Sequence, residues 1–179
     1  MGPNLPLVLE VGTAGILAWM SYQDWQTRSI TWFAFPLLGL TLLALHLLRE
    51  HAGLVALQVA VNWGLLVVLL AVLTLYVRLR LYPLSLGDCL GSGDVLYWAV
   101  VALYFSPPGF LLYFLSSSLV ALATAGLARW RAPAAGAEFR IPLAGVQAAC
   151  LLLLLGVRVL VPSWHGPEAA VNLLTVLTP

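Results

Sequence analysis

Two aspartates carry the chemistry that this sequence could perform. Asp94 sits in Gly91-Ser92-Gly93-Asp94-Val95-Leu96, with Asp88 six residues before it and Gly87 beside Asp88. A carboxylate next to apolar, membrane-depth sequence is expensive to bury and usually functional. Asp24 is the second, in the polar knot Gln23-Asp24-Trp25-Gln26-Thr27-Arg28-Ser29 after a long apolar run. Two neighbouring carboxylates cannot both ionise cheaply, so they share a proton across coupled steps. Aspartic proteolysis needs that pairing: one carboxylate takes a proton from water while the other gives one to the scissile carbonyl. Gly91 and Gly93 would let an extended peptide backbone come close to the acid, with no side chain in the way. Taken alone, each aspartate has a plainer explanation as an ion-pair partner or helix cap. The combination on one side of a polytopic chain is far more specific.

The composition says what kind of frame must position them. The chain has 179 residues, 62% hydrophobic and only 8% charged, with a mean hydropathy of +1.00. Soluble domains carry roughly 25% charged residues, so this chain cannot supply a water-facing surface. The fold class expected is all-α, a polytopic membrane protein in a single membrane-embedded domain over residues 1–179. A net charge of +1 argues against nucleic-acid binding, which wants a basic patch. Cys89 and Cys150 lie far apart, match no metal spacing and are not expected to pair. His46, His51 and His165 are scattered, so no metal site is expected.

A membrane-crossing helix needs roughly 20 apolar residues. About six transmembrane helices follow, at 5–22, 30–48, 54–77, 85–105, 109–128 and 141–161, with 168–178 as an interfacial segment. The N-terminus lacks the basic region of a signal peptide, so the first span is expected to be retained. Arg28, Arg78, Arg80, Arg129, Arg131 and Arg140 fall in alternate loops on one side, which predicts that side to be cytoplasmic. Asp24, Asp88 and Asp94 then share the cytoplasmic face, and Trp19, Trp25 and Trp32 bracket the first inner loop as an aromatic belt. One length does not fit: Asp94 to Phe105, before Ser106-Pro107-Pro108, makes about 18 Å of helix and cannot cross the core alone. Either that helix starts near Ser85, or Asp94 lies below the surface in a thinned or water-filled region.

These motifs resemble the type IV prepilin peptidases and the related preflagellin peptidases. Gly91-Ser92-Gly93-Asp94 is similar to the family's G-x-G-D motif. Asp24, with Arg28 and Ile30 after it, is similar to its first catalytic aspartate in D-x-x-x-R-x-I-P-N. Asp88 stands where the family often has an acidic residue, and Ile141-Pro142-Leu143-Ala144 resembles its I-P-F/Y-x segment. The resemblance covers roughly Leu5 to Val161. It implies a membrane aspartic endopeptidase with Asp24 and Asp94 catalytic and Gly91, Gly93 and Asp88 as substrate-binding residues. The implied substrate is the cytoplasmic leader of a prepilin- or pseudopilin-like single-span protein, for secretion or pilus assembly. No cofactor is implied, and the implied location is the inner (cytoplasmic) membrane with the site facing the cytoplasm. The sequence departs from the family at Thr31-Trp32, where Pro-Asn is usual, and at Leu96, where a Lys is usual. It also has no C-x-x-C insertion, so the resemblance implies a minimal peptidase without the methyltransferase part.

Two rival functions come from other classes. A proteolytically inactive relative would bind pilin-like helices or act in assembly, and Thr31-Trp32 and Leu96 favour it. A proton-coupled transporter would also use intramembrane carboxylates, but both acids at one face leave it no midplane site. Among the remaining polar residues, Gln58, Asn62, Trp63 and Gln147 are expected to be interhelical hydrogen-bonding glue. Ser116-Ser117-Ser118 has no histidine placed to activate it and reads as small interface residues.

Overall fold

The computed structural model describes residues 5–80, 87, 90–131 and 143–160. Its elements are all helical: α1 (Leu5–Thr27), α2 (Ala34–Leu47), α3 (Ala52–Arg80), α4 (Ser92–Val101), α5 (Pro107–Arg131) and α6 (Leu143–Leu160). No strand occurs among the described residues. Asp88, Cys89, Ile141, Pro142, most of the loop expected after Arg131 and the segment expected at 168–178 lie outside them.

The bundle has an apolar core, with Leu17, Met20, Leu38, Leu42, Tyr97 and Leu151 fully buried, and differs from a soluble protein in its equally apolar exterior. Along α3, Leu54, Leu57, Val61, Val68, Val72, Leu75 and Leu79 recur at helical spacing and are all exposed. Thr13, Asp24, His46, Asn62, Ser117 and Gln147 are also buried. An apolar exterior of this extent fits lipid, not water. The helices Leu5–Thr27, Ala52–Arg80 and Pro107–Ala128 are each long and apolar enough to cross a membrane, while Ala34–Leu47 and Leu143–Arg158 are shorter apolar helices. The chain is an all-α membrane protein.

Several helix boundaries differ from those expected, for local reasons. α1 runs through the polar knot to Thr27, so Asp24 projects from its last turn and not from a loop beyond it. The helix stops at Arg28, whose φ of 55° turns the chain while its amide bonds the Asp24 carbonyl; a left-handed residue is the common way to end a helix. Thr31 anchors the link to α2. Its amide and hydroxyl both bond the Gln23 side chain, at 3.2 and 2.8 Å. α4 begins at Ser92 and does not start near Ser85; Leu90 and Gly91 are non-helical. Its ten residues make about 15 Å. Pro107 and Pro108 start α5 instead of only ending its predecessor, since the first helical turn needs no amide donors.

A short helix ending inside an apolar bundle leaves orphan carbonyls that lipid cannot satisfy. The polar residues of α2 and α3 meet them. Asn62 donates to the Ala102 and Phe105 carbonyls at 2.9 and 2.7 Å. The Trp63 indole donates to the Ala99 carbonyl at 3.0 Å. His46 contacts the Leu103 carbonyl and Gln58, each at 2.8 Å. The expected interhelical glue is thus the seat for the C-terminal end of α4.

Candidate active site

The Asp-bearing ends of α1 and α4 meet at the first turn of α6. Asp24 is 8% exposed, and its Oδ2 accepts the Gly145 amide at 2.6 Å. Asp94 is half-buried at the third position of α4. Its Oδ1 accepts the Ala144 amide at 2.9 Å and its Oδ2 accepts the Gly91 amide at 3.2 Å. Successive amide nitrogens of a helix are about 3 Å apart. Two carboxylates separated by most of the N-terminal half of the chain therefore converge on one helix end, within electrostatic reach of each other. Free amides and the positive end of the helix dipole make that end a natural seat for carboxylate oxygens.

Gly145 is what lets α6 come so close to α1. A Cβ there would lie 2.8 Å from Asp24 Oδ2, 2.9 Å from Asp24 Cβ and 3.1 Å from Trp25 Cδ1. Ser21, one turn before Asp24, donates to the Gly145 carbonyl at 3.0 Å. Both polar groups of Gly145 are thus held by one face of α1, the helix against which α6 packs most extensively. The Arg28 guanidinium also lies within electrostatic reach of Asp24.

One turn beyond the anchors, a buried polar network ties α4, α5 and α6 together. The Trp98 indole donates to Gln147 Oε1 at 2.6 Å. Gln147 Nε2 donates to Ser118 Oγ at 3.2 Å. The Tyr113 hydroxyl donates to the Gln147 carbonyl at 2.7 Å and meets the Tyr97 hydroxyl at 2.9 Å. Ser116 and Ser117 donate back to their own helix, to the Tyr113 and Phe114 carbonyls, and no nucleophile arrangement forms there.

Of the residues singled out in the sequence, Asp24 and Asp94 are brought together, and Gly91 and Gly93 flank Asp94. Asp88 lies outside the described residues. Gly91 has φ −69° and ψ 143°, which any residue adopts. Its contribution is its amide and its small size, because a Cβ would sit 3.2 Å from Asp94 Oδ2. Leu96 points outward, 49% exposed, and supplies no charge to the pair. Thr31 is absorbed by Gln23, and Trp32 is exposed and edge-on to Phe33.

Sequence reasoning named Ala144 only as part of the Ile141-Pro142-Leu143-Ala144 segment, without a role, and missed Gly145. Their contribution is backbone amides, which leave no side-chain signature; the available signal was a glycine three residues after Pro142, at an expected helix start. Among the described residues, no group of three His, Cys, Asp or Glu side chains could hold a metal ion. No family model, curated protein or solved structure matches the chain.

Proposed function

We propose that this chain is a membrane aspartic endopeptidase that removes the cytoplasmic leader of prepilin-like, single-span substrates. The observation that carries the proposal is the convergence of Asp24 and Asp94 on the adjacent Gly145 and Ala144 amides. The motif resemblance supports this substrate class and a site at the cytoplasmic face of the inner membrane. In this mechanism, the two carboxylates hold one proton between them. One takes a proton from a water poised at the pair, and the other protonates the scissile carbonyl oxygen. The amides at the start of α6 keep both acids oriented through the reaction. An extended leader would pass over Gly91 and Gly93, where no side chain blocks Asp94. The chemistry runs on the two acids and water.

One observation favours a second function. Each aspartate already has a helix amide as partner, and Leu96 contributes no charge, so the pair also suits a proteolytically inactive relative that binds pilin-like helices. Co-expression with a prepilin-like substrate separates the two. The wild type should cut the leader, whereas Asp24→Asn and Asp94→Asn, which keep side-chain size but lose the titrating proton, should each lose activity by orders of magnitude while still folding. Normal cutting by either variant would remove it from the catalytic pair. Binding without cutting by the wild type would favour the inactive relative.

A further inference from the structure

A second polar cluster lies at the opposite end of the bundle. Glu10 is about 21 Å along α1 from Asp24, and Arg158 is about 20 Å along α6 from Gly145. Here two guanidinium groups converge on one phenol. Arg49 donates to the Tyr104 hydroxyl at 2.8 Å and lies over its ring, 4.9 Å from the centroid. Arg158 donates to the same hydroxyl at 3.5 Å. The carboxylate present is Glu10, 3.4 Å from Arg49, and Glu50, next to Arg49 in the chain, forms no ion pair among the described residues. Among the described residues, Glu10 is thus taken up by Arg49, and Arg158 has no carboxylate partner. The Tyr104 hydroxyl, in a side chain only 6% exposed, already accepts twice and still has its own proton to donate.

Beside this cluster runs an apolar groove between α5 and α6, about 230 Å³ in volume. Tyr113, Ser117 and Val120 form one wall, and Cys150, Leu154 and Val157 the other. Leu154 and Arg158 are four residues apart on α6, so they share a face, with the guanidinium one turn beyond the groove. Leu153 and Val157 are exposed on the same side.

We infer that this end of the bundle binds one anionic phospholipid, its phosphate on Arg158, Arg49 and Tyr104 and one acyl chain in the α5–α6 groove. Charge complementarity selects the headgroup: the Arg158 guanidinium, with no carboxylate partner among the described residues, stands at the edge of an apolar surface and favours an anion there. The groove selects a lipid over a free anion. The inference stands apart from the peptidase proposal, because none of its residues touches Asp24 or Asp94.

The test uses the purified full chain in a neutral maltoside detergent. Phosphatidylglycerol, phosphatidylcholine with the same acyl chains, and inorganic phosphate are compared by native mass spectrometry and by the thermal unfolding midpoint. Phosphatidylglycerol should be retained one per chain and should raise the midpoint, and phosphatidylcholine should do neither. Arg158→Gln should weaken retention about fivefold, the scale of one arginine at an anionic surface. Arg158→Lys should restore most of it, which guards against a folding defect in the Gln variant. Val120→Trp, on an exposed position of the groove wall, should reduce retention with the charges intact. Equal retention of both lipids, or unchanged retention in Arg158→Gln, would overturn the inference. So would equal stabilisation by inorganic phosphate with no effect of Val120→Trp, the signature of a free-anion site. If Val120→Trp spared the lipid but blocked binding of a single-span substrate helix, the groove would belong to that helix and the lipid assignment would fall.

Discussion

Among single residues, Gly145 decides how closely α1 and α6 can approach. Its missing side chain allows the amide of α6 to reach Asp24, and a Cβ would meet Asp24 Oδ2 and Cβ at 2.8 and 2.9 Å. The Asp24 Cβ belongs to a packed helix and cannot swing away, so α1 and α6 must separate. Gly145→Ala should therefore destabilise the fold by about 1–3 kcal/mol, the usual cost of overpacking, and should lower leader cleavage further than the stability loss explains. Thermal unfolding and cleavage measured on the same preparation check both. Asn62 offers a second residue-scale test. It is fully buried and holds two carbonyls beyond the end of α4, although its own Oδ1 has no partner among the described residues. Asn62→Leu keeps the branched side-chain shape but loses the donor to those carbonyls, and should cost about 1–2 kcal/mol of stability in detergent.

At the scale of elements, α4 is the unusual part. A ten-residue helix is short for a membrane protein, and it is held by others at both ends: Gly91 and Ala144 at Asp94, and Asn62, Trp63 and His46 at its exit. Gln147 bridges it to α5 and α6 through Trp98 and Ser118. Gln147→Leu should loosen α4 and change the environment of Trp98, read as a red-shifted, more quenchable indole emission, with a stability loss of about 1–2 kcal/mol. Much of this was legible in the sequence. Runs of apolar residues marked the helices, Asp94 and the Pro107-Pro108 pair marked a segment too short to cross, and polar residues inside an apolar span marked interhelical bonds. The continuation of α1 to Thr27 was not legible, because Gln23, Asp24, Gln26 and Thr27 are polar enough to resemble a loop. They remain helical because that turn packs on α6, a tertiary effect with no local pattern. The start of α6 stood out as Ile141-Pro142-Leu143-Ala144, but its role was missed for a related reason: it acts through amides, and amides are the same for every residue but proline.

Taken whole, the molecule is a lipid-facing shell around an apolar core that encloses a few hydrogen-bonded polar side chains. Val68, near the middle of α3, is exposed. Val68→Arg should therefore disfavour insertion by about 2.5–3.5 kcal/mol, read as reduced membrane-integrated yield, whereas Val68→Leu should leave yield unchanged. The two polar clusters lie at opposite ends, about 20 Å apart along α1 and α6, which is less than the roughly 30 Å of a bilayer's hydrocarbon core. The proposed peptidase function requires water and the substrate's first residues to reach the aspartate end of the bundle. The most direct measurement of the central claim, that Asp24 and Asp94 are one site, is a double-mutant cycle on leader cleavage with Asp24→Asn, Asp94→Asn and the doubly substituted chain. Groups that act as a unit are strongly non-additive. Each single variant should fall by orders of magnitude, and the double variant should be no worse than either. Independent, multiplying losses, or near-normal cleavage by one single variant, would contradict that claim.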